Sequence, residues 1–172
     1  MIVAQQEVER DQEKIEEIAK LSKPQISVVG IGGAGCNVVS WIKQRGMIGG
    51  RLLALNTDAN HLSICKADRR ILIGEKTTKG LGCGGYPDRG EAALRESLAL
   101  VKKEIADSSI VFLVAGLGGG TGTGASYALA EALKDRKALV VGVVTIPFSI
   151  ERVRMETAKR GIERLKQSCD TV

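Results

Sequence analysis

At 172 residues the chain is long enough for one domain with a proper core and too short for two ordinary domains. Its composition of 44% hydrophobic and 26% charged residues is typical of a globular protein, and no apolar run approaches the length of a membrane span. Residues 1–20 are polar and acidic and show no secretory signal pattern. We therefore expect a cytoplasmic protein that does not insert directly into a membrane.

The net charge of +5 is compatible with any polyanionic ligand, from a nucleic acid to a nucleoside triphosphate. Aromatic residues make up only 3% of the chain, and no basic stretch is interleaved with them. Because single-stranded nucleic acids bind by stacking on aromatic side chains, this composition argues against a nucleic-acid partner.

The four cysteines, Cys36, Cys65, Cys83 and Cys169, are widely scattered along the chain. None of them forms a C-x-x-C pair, and His61 is the one histidine in the sequence that could assist in binding a metal. Since zinc sites usually have closely spaced ligands, this spacing predicts reduced thiols packed in the interior and no metal site made by the protein.

Residues 6–20 have a helix-forming composition with a thin apolar stripe, which predicts a helical N-terminal extension over residues 1–24. From residue 25 onward, short apolar runs alternate with helical patterns. The predicted strands span residues 26–29, 52–55, 70–73, 110–114 and 138–145. The predicted helices span residues 34–45, 59–65, 88–104, 122–134 and 151–167, and a long loop covers residues 75–87.

Strands that are apolar on both faces and alternate with helices imply a parallel sheet covered on two sides. Residues 25–172 are therefore predicted to form a doubly wound α/β domain, with a mainly parallel, Rossmann-like sheet flanked by helices. Ligands of such sheets bind at the carboxyl ends of the strands, which is where the glycine clusters of this chain lie.

The first glycine cluster, Gly30–Gly35, directly follows the first strand and opens a helix. Its G-x-G-x-x-G pattern permits a tight turn and a close approach of the backbone to phosphate. Taken alone it fits a dinucleotide site, but such a site usually has an acid at the end of the second strand, where Asn56, Thr57 and Asp58 stand. The pattern therefore leaves a dinucleotide site and another phosphate site open.

A second cluster, Gly116–Gly124, follows the fourth strand and also opens a helix. Its successive N–H groups can form an anion nest, and the hydroxyls of Thr121 and Thr123 are further donors. No lysine follows, so we expect the positive charge to come from helix dipoles and Mg²⁺. With a third run, Gly80–Gly85, the chain has three glycine clusters at one edge, which suits a triphosphate better than a dinucleotide.

These motifs resemble the tubulin and FtsZ family of GTPases, and its FtsZ branch in particular. The segment Gly118–Gly124, GGGTGTG, is the family signature. The segments VVGIGGAGCN, ALNTDANHL, ILIGEKTTKGLGCGGYP and VVTIPFSIERVRM resemble, in order, three phosphate loops and the sugar-contact segment. The extension is similar to that of archaeal members. The resemblance implies a domain that binds GTP or GDP, with Mg²⁺ held by the phosphates, in a self-polymerising cell-division protein.

Site residues follow from this resemblance by position. Gly84 and Gly85 would approach the γ-phosphate, and Glu151 would bind the ribose. The full implied set is Gly32, Gly33, Ala34, Gly35, Asn37, Asn56, Asp58, Gly84, Gly85, Gly118, Gly119, Gly120, Thr121, Gly122, Thr123, Gly124, Glu151 and Arg154.

Three departures from the family pattern bear on this assignment. Cys36 stands where the family has asparagine, and Tyr86 stands where asparagine is common. The segment 151–154 is one residue shorter than usual, which bears on Arg154 in particular. Cys36 and the shortened segment keep open a structural or regulatory relative with impaired nucleotide binding, beside the NAD-type Rossmann alternative.

In the family, a further strand, a central helix and a second domain follow the segment that corresponds to residues 170–172. By the resemblance, those parts contact the guanine base and supply acidic residues that position water on the nucleotide of a neighbouring subunit. We therefore expect an N-terminal fragment without catalytic residues, which binds nucleotide but hardly hydrolyses it. The implied partners of the full-length protein are further copies in a head-to-tail protofilament and other cell-division proteins at the division site.

Overall fold

The computed structural model describes residues 25–172, so the predicted N-terminal extension lies outside the described residues. The strands of this part are β1 (Ile26–Ile31), β2 (Gly50–Asn56), β3 (Arg69–Leu72), β4 (Ile110–Gly116) and β5 (Leu139–Thr145). The helices are α1 (Gly32–Arg45), α2 (Ala59–Ile64), α3 (Glu75–Thr78), α4 (Pro87–Glu104), α5 (Gly120–Leu133) and α6 (Arg152–Ser168). Within this range, no helix combines the length and the apolar character needed to cross a bilayer.

The strands form one parallel sheet in the order β3-β2-β1-β4-β5. The central strand β1 pairs with β2 on one side and with β4 on the other, so that Val29 lies opposite both Leu53 and Leu113. Helices cover the two faces of the sheet. The predicted doubly wound α/β fold with a parallel sheet is therefore confirmed.

The alternation of side chains along each strand divides the core into two layers. On one face, Val29 of β1 is buried in a cluster that includes Leu94 of α4 and Leu165 of α6. On the other face, Val28 packs in a second cluster with Val39 of α1. Because helices cover both faces, the central strands are apolar at nearly every position.

Two helices begin earlier than the sequence pattern predicted. Helix α1 begins at Gly32 rather than at residue 34, and α5 begins at Gly120 rather than at residue 122. Glycine has a low intrinsic helix propensity, which favoured a loop at these positions. The glycine clusters nevertheless form first helical turns, because tertiary packing of the two helix starts outweighs that local preference.

The segment 75–87, predicted as one long loop, contains the short helix α3. Glu96 of α4 accepts hydrogen bonds from the backbone N–H groups of Lys76 and Thr77, at 2.9 and 3.1 Å. These bonds satisfy donors at the start of α3 that the short helix cannot satisfy itself. Since the acceptor lies on another helix, the local sequence carried no sign of it.

Strands β1 and β4 are neighbours, but the chain leaves them toward opposite edges of the sheet, so their carboxyl ends mark the topological switch point. The helix starts approach the sheet very closely here. A Cβ at Gly35 would lie 2.1 Å from the carbonyl oxygen of Val114, and a Cβ at Gly122 would lie 2.3 Å from that of Gly116. Only glycine permits this approach.

Replacement of Gly35 by alanine should lower the free energy of unfolding by about 1–3 kcal/mol, because the new methyl group collides with backbone atoms of the central sheet. Gly33→Ala, in the same helical turn, is the matched control, since a Cβ there meets no atom within 4 Å. Its stability should stay level or rise by up to about 1 kcal/mol, the usual gain from glycine to alanine in a helix. Urea denaturation measures both, and equal stabilities would contradict the close packing at Gly35.

Candidate functional site

A cleft of about 340 Å³ opens at the switch point, between the starts of α1 and α5 and the segment that follows β5. Small-molecule sites typically have volumes of about 300–1,000 Å³, so the cleft is large enough for a ligand. The predicted site residues that line it are Gly33, Ala34, Gly118, Gly119, Gly120, Thr121, Gly122, Glu151 and Arg154.

Both helix starts present backbone donors to this cleft. Neither α1 nor α5 has a side-chain cap or an acidic residue in its first turn. The first N–H groups of a helix have no acceptor within the helix, and its N-terminus carries partial positive charge. The two starts also touch, since a Cβ at Gly32 would lie 2.8 Å from the backbone nitrogen of Gly122. Two adjacent, uncapped helix starts form an anion-binding site without a lysine.

The glycines of the site fall into two groups, which differ in what surrounds them. A Cβ at Gly33 or Gly119 would meet no protein atom within 4 Å, so these two glycines face open space. A Cβ at Gly124 would lie 1.9 Å from the carbonyl oxygen of Pro87, and Gly35 packs on the sheet. The structure therefore separates glycines that leave room for a ligand from glycines that let helices pack.

The two threonines of the second cluster have different positions. Thr121 lines the cleft, with its hydroxyl 2.7 Å from that of Thr57 and 3.4 Å from the sulfur of Cys83. Thr123 is only 2% exposed, and its hydroxyl accepts a hydrogen bond from the Gly118 N–H at 2.9 Å. A contact of the Thr123 hydroxyl with a phosphate therefore stays a prediction. This hydroxyl supports the turn at Gly118, where φ is +98°.

Glu151 and Arg154 form the opposite wall of the cleft, at the start of α6. The Nη1 atom of Arg154 lies 3.2 Å from Oε2 of Glu151. The side chain of Arg154 is 69% exposed and that of Glu151 is 36% exposed. The ion pair therefore adds little to stability, and both groups stay accessible to a ligand. The shortened segment thus still brings both predicted residues to the cleft.

Asn37, Asn56 and Asp58 form a polar group beside the cleft but do not line it. Asn56 is buried, and its Oδ1 accepts a hydrogen bond from the Thr57 N–H at 2.9 Å. Asp58 caps α2 by accepting a hydrogen bond from the His61 N–H at 3.0 Å. The Nε2 atom of His61 lies 3.0 Å from Oδ1 of Asn37. These contacts hold the carboxyl end of β2 and the first turns of α1 and α2 together.

Gly84 and Gly85 lie exposed in the loop between α3 and α4, with positive φ angles of 61° and 83°. They do not line the cleft. Their loop is connected to it through Cys83, whose thiol donates to the Thr57 hydroxyl at 3.4 Å, and through Gly82, whose N–H donates to the Thr57 carbonyl at 3.1 Å. A contact of Gly84 and Gly85 with a γ-phosphate stays a prediction.

Cys36 follows the first glycine cluster but does not face the cleft. It is fully buried, and its thiol donates toward the carbonyl oxygen of Leu55 at 3.4 Å. Burial and the neighbouring thiol of Cys65 raise the pKa of Cys36 far above its ordinary value. The departure from the family pattern at this position therefore changes the interior next to α2 and not the lining of the cleft.

The cysteines are reduced, and Cys36, Cys65 and Cys83 are buried, as the sequence predicted. The scattered spacing nevertheless did not predict that possible metal ligands meet in the fold. The fold brings the ligand atoms of Cys36, His61 and Cys65 within 4.8 Å of one another. One local signal was present, because His61 and Cys65 are four residues apart and so lie on the same side of a helical turn.

The cleft has further lining residues that belong to the cluster Gly116–Gly124 or to the segment VVTIPFSIERVRM but were not in the implied set of site residues. They are Gly116, Leu117, Thr145, Ile146 and Pro147. These residues end or follow β4 and β5, two adjacent parallel strands. The rule that ligands bind at the carboxyl ends of such strands is the signal that could have found them.

The sequence profile of the "Tubulin/FtsZ family, GTPase domain" matches residues 25–172. The chain belongs to the tubulin/FtsZ family. It is 48% identical over 167 residues to Cell division protein FtsZ 1 of Methanocaldococcus jannaschii, a match that covers 96% of this chain and 46% of that protein. It is 50% identical over 151 residues to Cell division protein FtsZ 1 of Archaeoglobus fulgidus, covering 87% of this chain and 41% of that protein.

Among solved structures, an empty FtsZ dimer of M. jannaschii matches with a TM-score of 0.88 and 48% sequence identity, covering 93% of this chain and 47% of that chain. The predicted resemblance to archaeal FtsZ proteins is confirmed, and the NAD-type alternative is wrong. The chain spans slightly less than half the length of the curated relatives it matches, 46% and 41% for the two FtsZ 1 proteins.

Proposed function

We propose that this chain is the GTP- and GDP-binding domain of a self-polymerising, FtsZ-type cell-division protein. One observation carries the proposal. Two adjacent helix starts without side-chain caps converge on a cleft at the switch point of the sheet. An anionic ligand completes the hydrogen bonding of such helix starts. Membership in a GTPase family supports a guanine nucleotide as that ligand.

In this proposal the phosphates lie against the backbone N–H groups near Gly33 and Gly119, the two cleft-lining glycines with open space around them. The hydroxyl of Thr121 is a further donor at the same surface. Mg²⁺ takes oxygen ligands and accompanies the phosphates. The glycine clusters contain no lysine, so the positive charge that balances the phosphates would come from this cation. The hydroxyl of Thr121 and the carboxylate of Asp58 are protein oxygens at this edge of the sheet that suit such a cation.

The ribose is proposed to bind at the opposite wall. The Glu151 carboxylate accepts hydrogen bonds from sugar hydroxyl groups, and the guanidinium of Arg154 faces the same space. The two side chains are 3.2 Å apart, so both groups reach the same part of the cleft. Preference for guanine over adenine rests on the family resemblance, because no residue of the cleft is assigned to the base.

Hydrolysis is proposed to need a second copy of the full-length protein. Copies stack head to tail, and acidic residues of one subunit position water on the nucleotide held by the next. A dimer among the matched FtsZ structures supports self-association. Such a polymer would act in the cytoplasm at the division site, together with other cell-division proteins. Residues 1–172 are then the binding part of the assembly and contain no catalytic residue.

Calorimetric titration with GDP tests nucleotide binding directly. Gly119→Ala should weaken GDP binding at least about tenfold, or about 1.4 kcal/mol, because the methyl group takes space that a phosphate needs. The backbone at Gly119 has φ −102° and ψ −177°, which alanine adopts without strain, so stability toward urea should not change. Absence of GDP binding by the unmodified chain would instead favour a structural or regulatory relative with impaired nucleotide binding.

Glu151→Gln should weaken GDP binding about tenfold or more, since hydrogen bonds to a charged group contribute about 1.5–3 kcal/mol. The same substitution should have little effect on 2′,3′-dideoxy-GDP, which lacks the hydroxyl groups that the carboxylate binds. Glu156→Gln, an exposed acid on the same helix, is the matched control and should bind both ligands normally. An equal loss for both ligands in Glu151→Gln would argue against a ribose contact.

GTP turnover by the isolated chain should be close to the uncatalysed rate, because no residue within 1–172 is assigned to water activation. Phosphate release measured over a range of protein concentrations checks this. The matched measurement is GDP binding on the same samples, which shows that the chain is folded and competent. Turnover that rises in direct proportion to protein concentration would show that the chain hydrolyses GTP alone.

A further inference from the structure

Three potential metal ligands meet beside the proposed nucleotide site. They are the Sγ atoms of Cys36 and Cys65 and a ring nitrogen of His61, all within 4.8 Å of one another. Cys36 is fully buried and Cys65 is 6% exposed, while His61 is half-buried and borders solvent. Two soft sulfur ligands and an imidazole are the donor set that zinc prefers.

The hydrogen bonds around His61 determine which nitrogen faces the thiols. The Oδ1 atom of Asn56 accepts from the backbone N–H groups of Thr57 and Asp58, at 2.9 and 3.3 Å. The amide nitrogen of Asn56 is therefore the atom that lies 3.2 Å from Nδ1 of His61, and Nδ1 accepts its hydrogen bond. Nε2 then carries the proton and donates to Oδ1 of Asn37 at 3.0 Å.

Because Nδ1 has a single lone pair, a cation bound at this atom would replace the hydrogen bond that Asn56 donates to it. The distance from Nδ1 to the sulfur of Cys65 is 3.5 Å. Tetrahedral zinc with bonds of about 2.3 Å to sulfur and about 2.0 Å to nitrogen places these two atoms about 3.5 Å apart. The Sγ atom of Cys36, which lies within 4.8 Å of the other two ligand atoms, needs to come closer by about 1.3 Å at most to complete the same geometry.

The outer contacts also match those of a zinc site. A histidine that binds zinc almost always donates its second N–H to a carboxylate or carbonyl oxygen, which fixes the ring. Here Oδ1 of Asn37 accepts that proton. The ring is thus oriented by its hydrogen bond to Asn37, an exposed side chain of α1.

We propose that Cys36, His61 and Cys65 bind a thiophilic divalent cation of the Zn²⁺ class, with water as the fourth ligand. The two thiol protons leave to solvent as the cation binds. Access is from the half-buried side of His61. The cation connects the first turns of α1 to α2, and it lies next to Asn37 and Asn56 at the edge of the nucleotide site.

Titration of the reduced chain with Co²⁺ and Zn²⁺, without nucleotide, tests this site independently of the proposed function. One equivalent of Co²⁺ should produce thiolate-to-cobalt charge-transfer absorption together with the intense visible bands of tetrahedral cobalt. Zn²⁺ should displace it, and competition with a chromogenic chelator gives the affinity. Cobalt bound without the charge-transfer absorption would overturn the proposal.

Variants separate this site from the other thiols. Loss of a residue that hydrogen-bonds to a metal ligand typically lowers metal affinity about 10–100-fold. Cys65→Ser removes a ligand itself, so it should lower Zn²⁺ affinity by more than that. Asn37→Ala keeps all three ligands and should lower it about 10-fold. Cys169→Ser, which changes a half-buried thiol outside the cluster, is the matched control and should bind as the parent does. Unchanged Zn²⁺ affinity in both Cys65→Ser and Asn37→Ala would also overturn the proposal. Because the Asn37 side chain is exposed, Asn37→Ala should fold, and it tests the site even if Cys65→Ser does not fold.

Discussion

The approach of two glycine-rich helix starts to the ends of β1 and β4 is the constraint on which this domain depends. The start of α1 lies against the carbonyl oxygen of Val114, and the start of α5 lies against that of Gly116. This contact leaves no room for side chains, and it sets two positive helix ends beside each other. The cleft lies at this contact, and the turn at Gly118 and the wall at Glu151 border it.

Much of this could be predicted, because the signals are local and repeated. Apolar runs that end in glycine predict buried parallel strands, and the order of strands and helices predicts a sheet covered on both sides. The glycine clusters predicted a phosphate site at one edge, and their resemblance to the tubulin/FtsZ family was confirmed. Glu151 and Arg154 reach the cleft although the segment 151–154 is one residue shorter than the family pattern.

What could not be predicted depends on contacts between distant parts of the chain. A pattern shows that Thr121 and Thr123 belong to one glycine cluster, but it does not show that one faces the cleft and the other supports the turn at Gly118. Which glycines pack against backbone is also a tertiary property. The grouping of Cys36 with His61 and Cys65 arises because α1 and α2 flank the same strand ends. Spacing along the sequence gave little warning of it.

A site made of backbone N–H groups has no side chain whose removal would abolish it. Substitutions that delete side-chain groups would affect Thr121 and the outer wall of this cleft, but they would leave its backbone donors in place. Under the proposed function, a substitution at Gly33 or Gly119 would act through added bulk, since the space beside them is free of protein atoms. A site of this kind would tolerate changes in the surrounding side chains, provided that the open space beside those two glycines is kept.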